Sequence, residues 1–198
     1  MMLRYKADIA GGALKVYESR LVAGLLLNKI SAADWRRAIE IDNILQKKSP
    51  ATARRQASLI RARLLTMTPD LWQLVKEGSK PLATQAVFAA ALAHSPLLRD
   101  FLLLEVRDHF RSGNLSLTRS HWRSYLDACH ERDPEMPAWT TSTAAKLGDT
   151  AFQILLEIGM LSDGDRPMLQ PVYYQPEVLA HLNDRGCSEI LRAMQVFI

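Results

Sequence analysis

One device recurs three times along this chain: a hydroxyl residue followed by proline at the head of an apolar run. It occurs at Ser49-Pro50, Thr68-Pro69 and Ser95-Pro96. Serine and threonine accept a hydrogen bond from the free N–H groups of a first helical turn, and proline fits the first helical position because it has no N–H to satisfy. Each pair is followed by apolar residues at helical spacing. Ser31, with Asp34 three residues on, and Thr118 offer further caps, and glycines at 78, 113 and 159 offer stops. The spacing predicts helices over 13–28, 32–45, 50–66, 69–78, 80–94, 96–113, 119–132 and 140–159, with two more closing the chain.

A sequence so punctuated can hardly form an extended sheet. The expected fold class is all-α: a compact multi-helix chain with helix-turn-helix-like elements. One stretch departs from helical spacing. In "MLSDGDRPMLQPVYY", Gly164 and Pro167 separate short apolar pieces, so a small β-hairpin, or wing, is expected near 160–174. Pro134 and Pro137 in "RDPEMPAW" mark a linker. The expected division is an N-terminal helical domain over 1–133, carrying a basic helix-turn-helix-like segment, and a C-terminal helical, winged-helix-like subdomain over 138–198.

With 48% hydrophobic residues in 198, the chain has the means to bury a core. The 18 uncharged residues between Lys80 and Arg99 include Thr84, Gln85, His94, Ser95 and two prolines. A membrane span needs about 20 strongly apolar residues, so this run reads as a central buried helix. No signal-peptide pattern follows the basic start, and Cys129 and Cys187 form no CxxC pair. The expectation is a cytoplasmic protein with reduced thiols, no membrane partner, no metal site and no cofactor.

Charge is sorted along the chain. Residues 1–66 carry 13 Lys and Arg against 5 Asp and Glu, whereas residues 67–198 carry 12 against 16. The basic front points to a polyanionic partner. Its centre is "LQKKSPATARRQASLIRARL" (45–64), with six basic side chains, and no acid occurs from Asn43 to Pro69. On a helix starting at Pro50, Ala53, Ala57, Ile60, Leu64 and Met67 form an apolar stripe. Arg54, Ser58 and Arg61 follow the same rhythm on another face, Arg55 lies beside them, and Arg63 points elsewhere. Lys47 and Lys48 stand in the preceding turn. Lys47, Lys48, Arg54, Arg55, Ser58 and Arg61 are therefore the candidate nucleic-acid contacts, around a helix amino end suited to phosphate. The competing reading is an ordinary solvated face, since arginine forms helices well. An ordinary face mixes signs, and the absence of acid weighs toward nucleic acid.

A second candidate lies at 140–174. Thr140, Thr141, Ser142 and Thr143 stand near a helix start with Lys146 one turn on, and the expected hairpin carries Arg166. Helix followed by hairpin is the order of a winged helix. The competing reading is that the hydroxyls simply cap the helix. Asp149, Glu157, Asp163 and Asp165 make the region poorly suited to phosphate.

No enzyme signature appears: neither GxxxxGK[ST], GxGxxG nor GxSxG occurs. His109, His121 and His130 stand on helices that can bring them together, and Asp127 and His130 lie three apart on one helix. A structural or surface role outweighs a catalytic one for each. The chain is read as a non-enzyme.

Several stretches resemble a known family. "ESRLVAGLLL" (18–27), Trp35, "NILQKKSPATARR" (43–55) and "IRARL" (60–64) are similar to the BrxA proteins of bacteriophage exclusion (BREX) systems. "TTSTAAKLGDTAFQILLEIGML" (140–161) resembles that family's second characteristic block. The resemblance implies a small, all-helical, non-enzymatic component of an anti-phage defence system. Such systems also encode an ATPase, an adenine methyltransferase and an alkaline-phosphatase-like protein, the implied partners. It further implies binding to double-stranded DNA and a likeness in shape to the antitermination factor NusB. Arg54, Arg55 and Arg61 fall in the family's "TxRR…RARL" block, and no catalytic residue carries over.

Three functions follow: a sequence-tolerant double-stranded DNA-binding module, a protein–protein adaptor of the defence complex, and a NusB-like RNA binder. Single-strand RNA readers expose aromatic side chains for stacking. Residues 45–64 contain none, which weighs against the third.

Overall fold

The computed structural model describes residues 5–164 and 166–197. The chain is all-α, as its caps dictate. In order the helices are α1 (Val16–Leu27), α2 (Ala32–Arg36), α3 (Pro50–Leu64), α4 (Pro69–Glu77), α5 (Lys80–His94), α6 (Pro96–Asp100), α7 (Arg107–Ser112), α8 (Arg119–Arg132), α9 (Thr141–Ile158), α10 (Pro176–Asp184) and α11 (Ser188–Met194). Two π-helical stretches intervene: Arg37–Ile41 continues α2, and Phe101–Val106 joins α6 to α7. Two of the three hydroxyl–proline heads cap as expected, whereas Thr68 starts α4 without accepting an N–H on its side chain. Ser49 and Ser95 accept from the N–H groups of Thr52 and Leu98 at 3.3 and 3.2 Å.

The chain divides into two compact units, 1–13 with 95–174 and 182–198, and 14–94 with 175–181. In the second unit α1 packs on α3, α4 and α5. The centre is α5, buried from Ala83 to Leu92, as its uncharged sequence predicts. Leu21, Leu25 and Leu27 of α1 are only half-buried, and its buried face is Ser19, Val22 and Ala23. Small residues sit there because neighbouring helices pack close. Arg20 reaches the end of α4, donating from Nη1 to the Lys76 carbonyl at 2.8 Å and from Nη2 to the Gly78 carbonyl at 2.6 Å. The Trp72 indole N–H donates to the Leu64 carbonyl at 2.7 Å and so caps the last turn of α3.

The first unit is built on an aromatic cluster. Phe101 meets Trp122 edge-on at 4.9 Å between centroids and Tyr125 at 5.1 Å. Both polar handles are satisfied, Trp122 Nε1 by the Ala144 carbonyl at 3.0 Å and Tyr125 Oη by the Leu97 carbonyl at 2.7 Å. Asp133 and Met136 are buried, so the segment between α8 and α9 packs into this unit, and the Asp133 carboxylate accepts from the Tyr5 N–H at 3.3 Å.

Among the described residues no β-strand forms. The expected hairpin is reduced to one isolated antiparallel bridge, Leu161 with Leu169, and a second bridge joins Met168 to Ser116 outside that stretch. Gly159 ends α9 in the left-handed region (φ 80°), which turns the chain into the first bridge. The resulting order is helix, bridge segment at 116, α8, α9, then bridge segments at 161 and 168–169. The segment at 116 carried no strand signal in the sequence.

Candidate nucleic-acid interface

The stripe predicted for α3 is buried at every position: Ala53, Ala57, Ile60, Leu64 and Met67. Arg54, Arg55, Ser58 and Arg61 are exposed together, as is Lys48 before the helix. The turn leading into α3 is held by Asn43. Its side-chain oxygen accepts from the Lys47 N–H and its amide donates to the Lys47 carbonyl, both at 2.9 Å. Asn43 and Gln46 both take left-handed backbone angles. Asparagine tolerates that region well.

Four basic residues need correction or refinement. Lys47 is not a free cation: its Nζ lies 2.6 Å from Glu18 Oε1, and its side chain is 19% exposed. Glu18 comes from α1, 29 residues away, so no local window around 45–64 could reveal it. Burial, the largest influence, works to raise the Glu18 carboxyl pKa. The Lys47 hydrogen bond and the Lys47 and Lys15 charges outweigh it, so the pKa lies below the ordinary value. Arg54 pairs with Glu40 at 3.6 Å but stays 61% exposed, and an exposed pair of that length is worth little and opens readily. The ridge is therefore acid-free in its own sequence but has a carboxylate beside one end. Arg61 lies over the Trp35 ring at 4.9 Å, which orients the guanidinium without consuming its charge. Arg63 is 2% exposed and belongs to the interior.

In the region around 140–174, Thr140 Oγ1 accepts from the Thr143 N–H at 3.2 Å, so it caps α9 as the plainer reading holds. Lys146 and Arg166 are exposed, and Asp165 lies outside the described residues. Sequence reasoning missed Arg119 and Arg123, one turn apart on α8. They line a recess with Trp122, Thr141, Ala144, Ala145 and Asp149. Arg119 pairs with Asp149 at 3.0 Å and lies over Phe152 at 3.8 Å. The i, i+4 spacing of the two arginines was the available signal.

Of the three histidines singled out, His109 and His121 meet, with ring centroids 4.5 Å apart. Cys129 is buried and Cys187 half-buried, and both are free. Among the described residues no single helix is long and apolar enough to cross a membrane.

Comparison with known proteins gives consistent results. The BrxA family model matches residues 3–186. A BREX protein BrxA from Paramagnetospirillum magneticum (strain ATCC 700264 / AMB-1) is 51% identical over 195 residues, covering 98% of each chain. Another, from Escherichia coli O9:H4 (strain HS), is 35% identical over 188 residues, covering 95% of this chain and 88% of its own. The crystal structure of an uncharacterized protein from Magnetospirillum magneticum superposes with a TM-score of 0.91 at 48% identity, covering 98% of this chain and 99% of that one.

Proposed function

The chain belongs to the BrxA family of BREX proteins, and from that premise we propose that it is a non-enzymatic, sequence-tolerant binder of double-stranded DNA. The observation that carries this reading is the outward face of α3. Arg54, Arg55, Ser58 and Arg61 share one exposed surface, opposite a fully buried stripe. Lys48 adds charge at the amino end of the helix, where the helix dipole also favours phosphate. Lys47 is left out of the contact set because Glu18 neutralises it. Contacts from Arg54, Arg55, Arg61 and Lys48 go to phosphates, which fix the protein on the duplex without reading its bases.

Salt titration tests this. At about −0.9 log units per phosphate contact, four contacts give a slope of about −3.6 in log affinity against log salt. Arg54→Ala with Arg55→Ala should flatten the slope by about 1.8 and weaken binding to unrelated duplexes alike. An electrophoretic shift with the double variant equal to that of the parent protein removes the proposal.

A second reading, docking onto another BREX component, is favoured by Ile41 and Leu65, apolar side chains 75% and 53% exposed. Co-purification that survives nuclease treatment but fails with Ile41→Glu would support it.

A further inference from the structure

Three side chains of the first unit converge. Glu105 and His109 lie four residues apart, on the π-helical stretch and on α7, and His121 lies in the first turn of α8. Their ligand-capable atoms all lie within 4.8 Å of one another. His109 Nδ1 lies 2.6 Å from the Asn114 carbonyl oxygen. A carbonyl can only accept, so Nδ1 carries the proton and Nε2 offers its lone pair on the opposite side of the ring. That nitrogen points at a carboxylate: Nε2 stands 3.5 Å from Glu105 Oε1. A charge-assisted hydrogen bond would bring such a pair to about 2.7–2.9 Å. Two ligands bonded to one tetrahedral ion at about 2.0–2.1 Å stand about 3.3 Å apart. At 3.5 Å the pair makes no such hydrogen bond and stands near the spacing of two ligands of one ion.

We infer that Glu105, His109 and His121 form a binding site for a divalent cation of the zinc class. Two imidazoles and a carboxylate are the donors that borderline ions such as Zn2+ take, with water in the fourth position. On the His109 side the outer shell is already in place. The Nδ1–H of His109 donates to the Asn114 carbonyl, the arrangement that orients a ligating histidine and raises its basicity. His121 Nδ1 lies 3.2 Å from Thr118 Oγ1 and 3.1 Å from the Thr118 backbone nitrogen. On ligation through Nε2, Nδ1 becomes a donor and Thr118 Oγ1 accepts it. The hydrogen bond from the Thr118 N–H is the one given up. The ion joins the helix ending at Ser112 to the first turn of α8, on either side of the Asn114–Ser116 segment that bridges to Met168.

The test uses the full chain, stripped with a chelator and dialysed against Zn2+, with metal content measured by elemental analysis. One ion per chain is expected, with a rise in thermal midpoint, and Co2+ in its place should give the visible absorption bands of a four-coordinate site. His121→Ala should weaken binding by more than about 100-fold, beyond the loss that follows removal of an outer-shell partner. His121→Cys should restore it, because a thiolate is also a zinc ligand. His130→Ala should bind as the parent does. His121 is only partly buried, so its variants are informative even if substitution of buried His109 prevents folding. Metal content far below one ion per chain, binding unchanged in His121→Ala, or a thermal midpoint that responds to pH but not to Zn2+ would overturn the inference.

Discussion

Gly148 sits inside α9, where alanine forms helix better by about 1 kcal/mol. A Cβ at this position would lie 2.7 Å from Trp122 Cδ1. The indole cannot withdraw, since it packs on Phe101 and donates to the Ala144 carbonyl. Gly148→Ala should therefore lower stability by about 1–3 kcal/mol, the range for overpacking a filled core. Urea unfolding followed by tryptophan fluorescence or circular dichroism reads the loss, and a stability equal to or above the parent's would show that the indole yields. Glu18 supplies a second test at this scale. Its pKa is lowered in the folded state, so around the ordinary carboxyl range the unfolded chain binds more protons and stability rises with pH there. The contribution is fully present above the unfolded value of 4.5 and is lost as pH falls through the folded value. Glu18→Gln should be less stable at neutral pH, and its acid-side stability slope should be shallower than the parent's.

At the scale of elements, most helices begin where their capping residues place them, but what holds their far ends comes from elsewhere in the chain. Arg20 of α1 closes α4 through two backbone carbonyls. Hydrogen bonds to a charged group contribute about 1.5–3 kcal/mol, so Arg20→Ala should lower the unfolding free energy by about that amount, read as a lower urea midpoint at an unchanged slope. Arg20→Lys should recover only part, because a single ammonium cannot reproduce the two-pronged guanidinium. For α3 the periodicity alone separates the buried stripe from the basic face, and the structure keeps that separation. The wing behaved differently. Gly164 and Pro167 correctly marked a break in the helices, but the paired segments are so short that period-two alternation has no length in which to appear. Their partner at Ser116 is about 50 residues distant in sequence and left no trace there.

For the whole molecule, the charge sorting read along the chain persists in the folded units. Residues 14–94 with 175–181 carry 13 basic and 7 acidic side chains; the remaining residues carry 12 and 14. The charge excess and the α3 ridge thus reside in the same unit. Duplex binding should accordingly be general: unrelated duplexes should compete within about threefold of one another in 100 mM salt, as phosphate-directed binding demands. A duplex preferred by a thousandfold would show that bases are read. Single-stranded RNA should compete less well than duplex DNA, since no aromatic side chain lies within 45–64 for stacking.

Local chemistry alone determined the fold class, most helix starts, the buried stripe of α3 and the grouping of Arg54, Arg55, Ser58 and Arg61, because caps and amphipathic spacing act within a few residues. Family membership was legible in the same blocks. Which cations remain free was decided only by tertiary structure: Glu18 and Glu40 approach Lys47 and Arg54 from other helices, and Arg63 is drawn into the interior. The meeting of Glu105, His109 and His121 belongs with these. Glu105 and His109 stand at i, i+4, but only the approach of His121 from α8 to His109 brings a carboxylate and two imidazoles within reach of one ion. Distances between side chains on different helices are properties of packing, and a linear pattern carries no record of them.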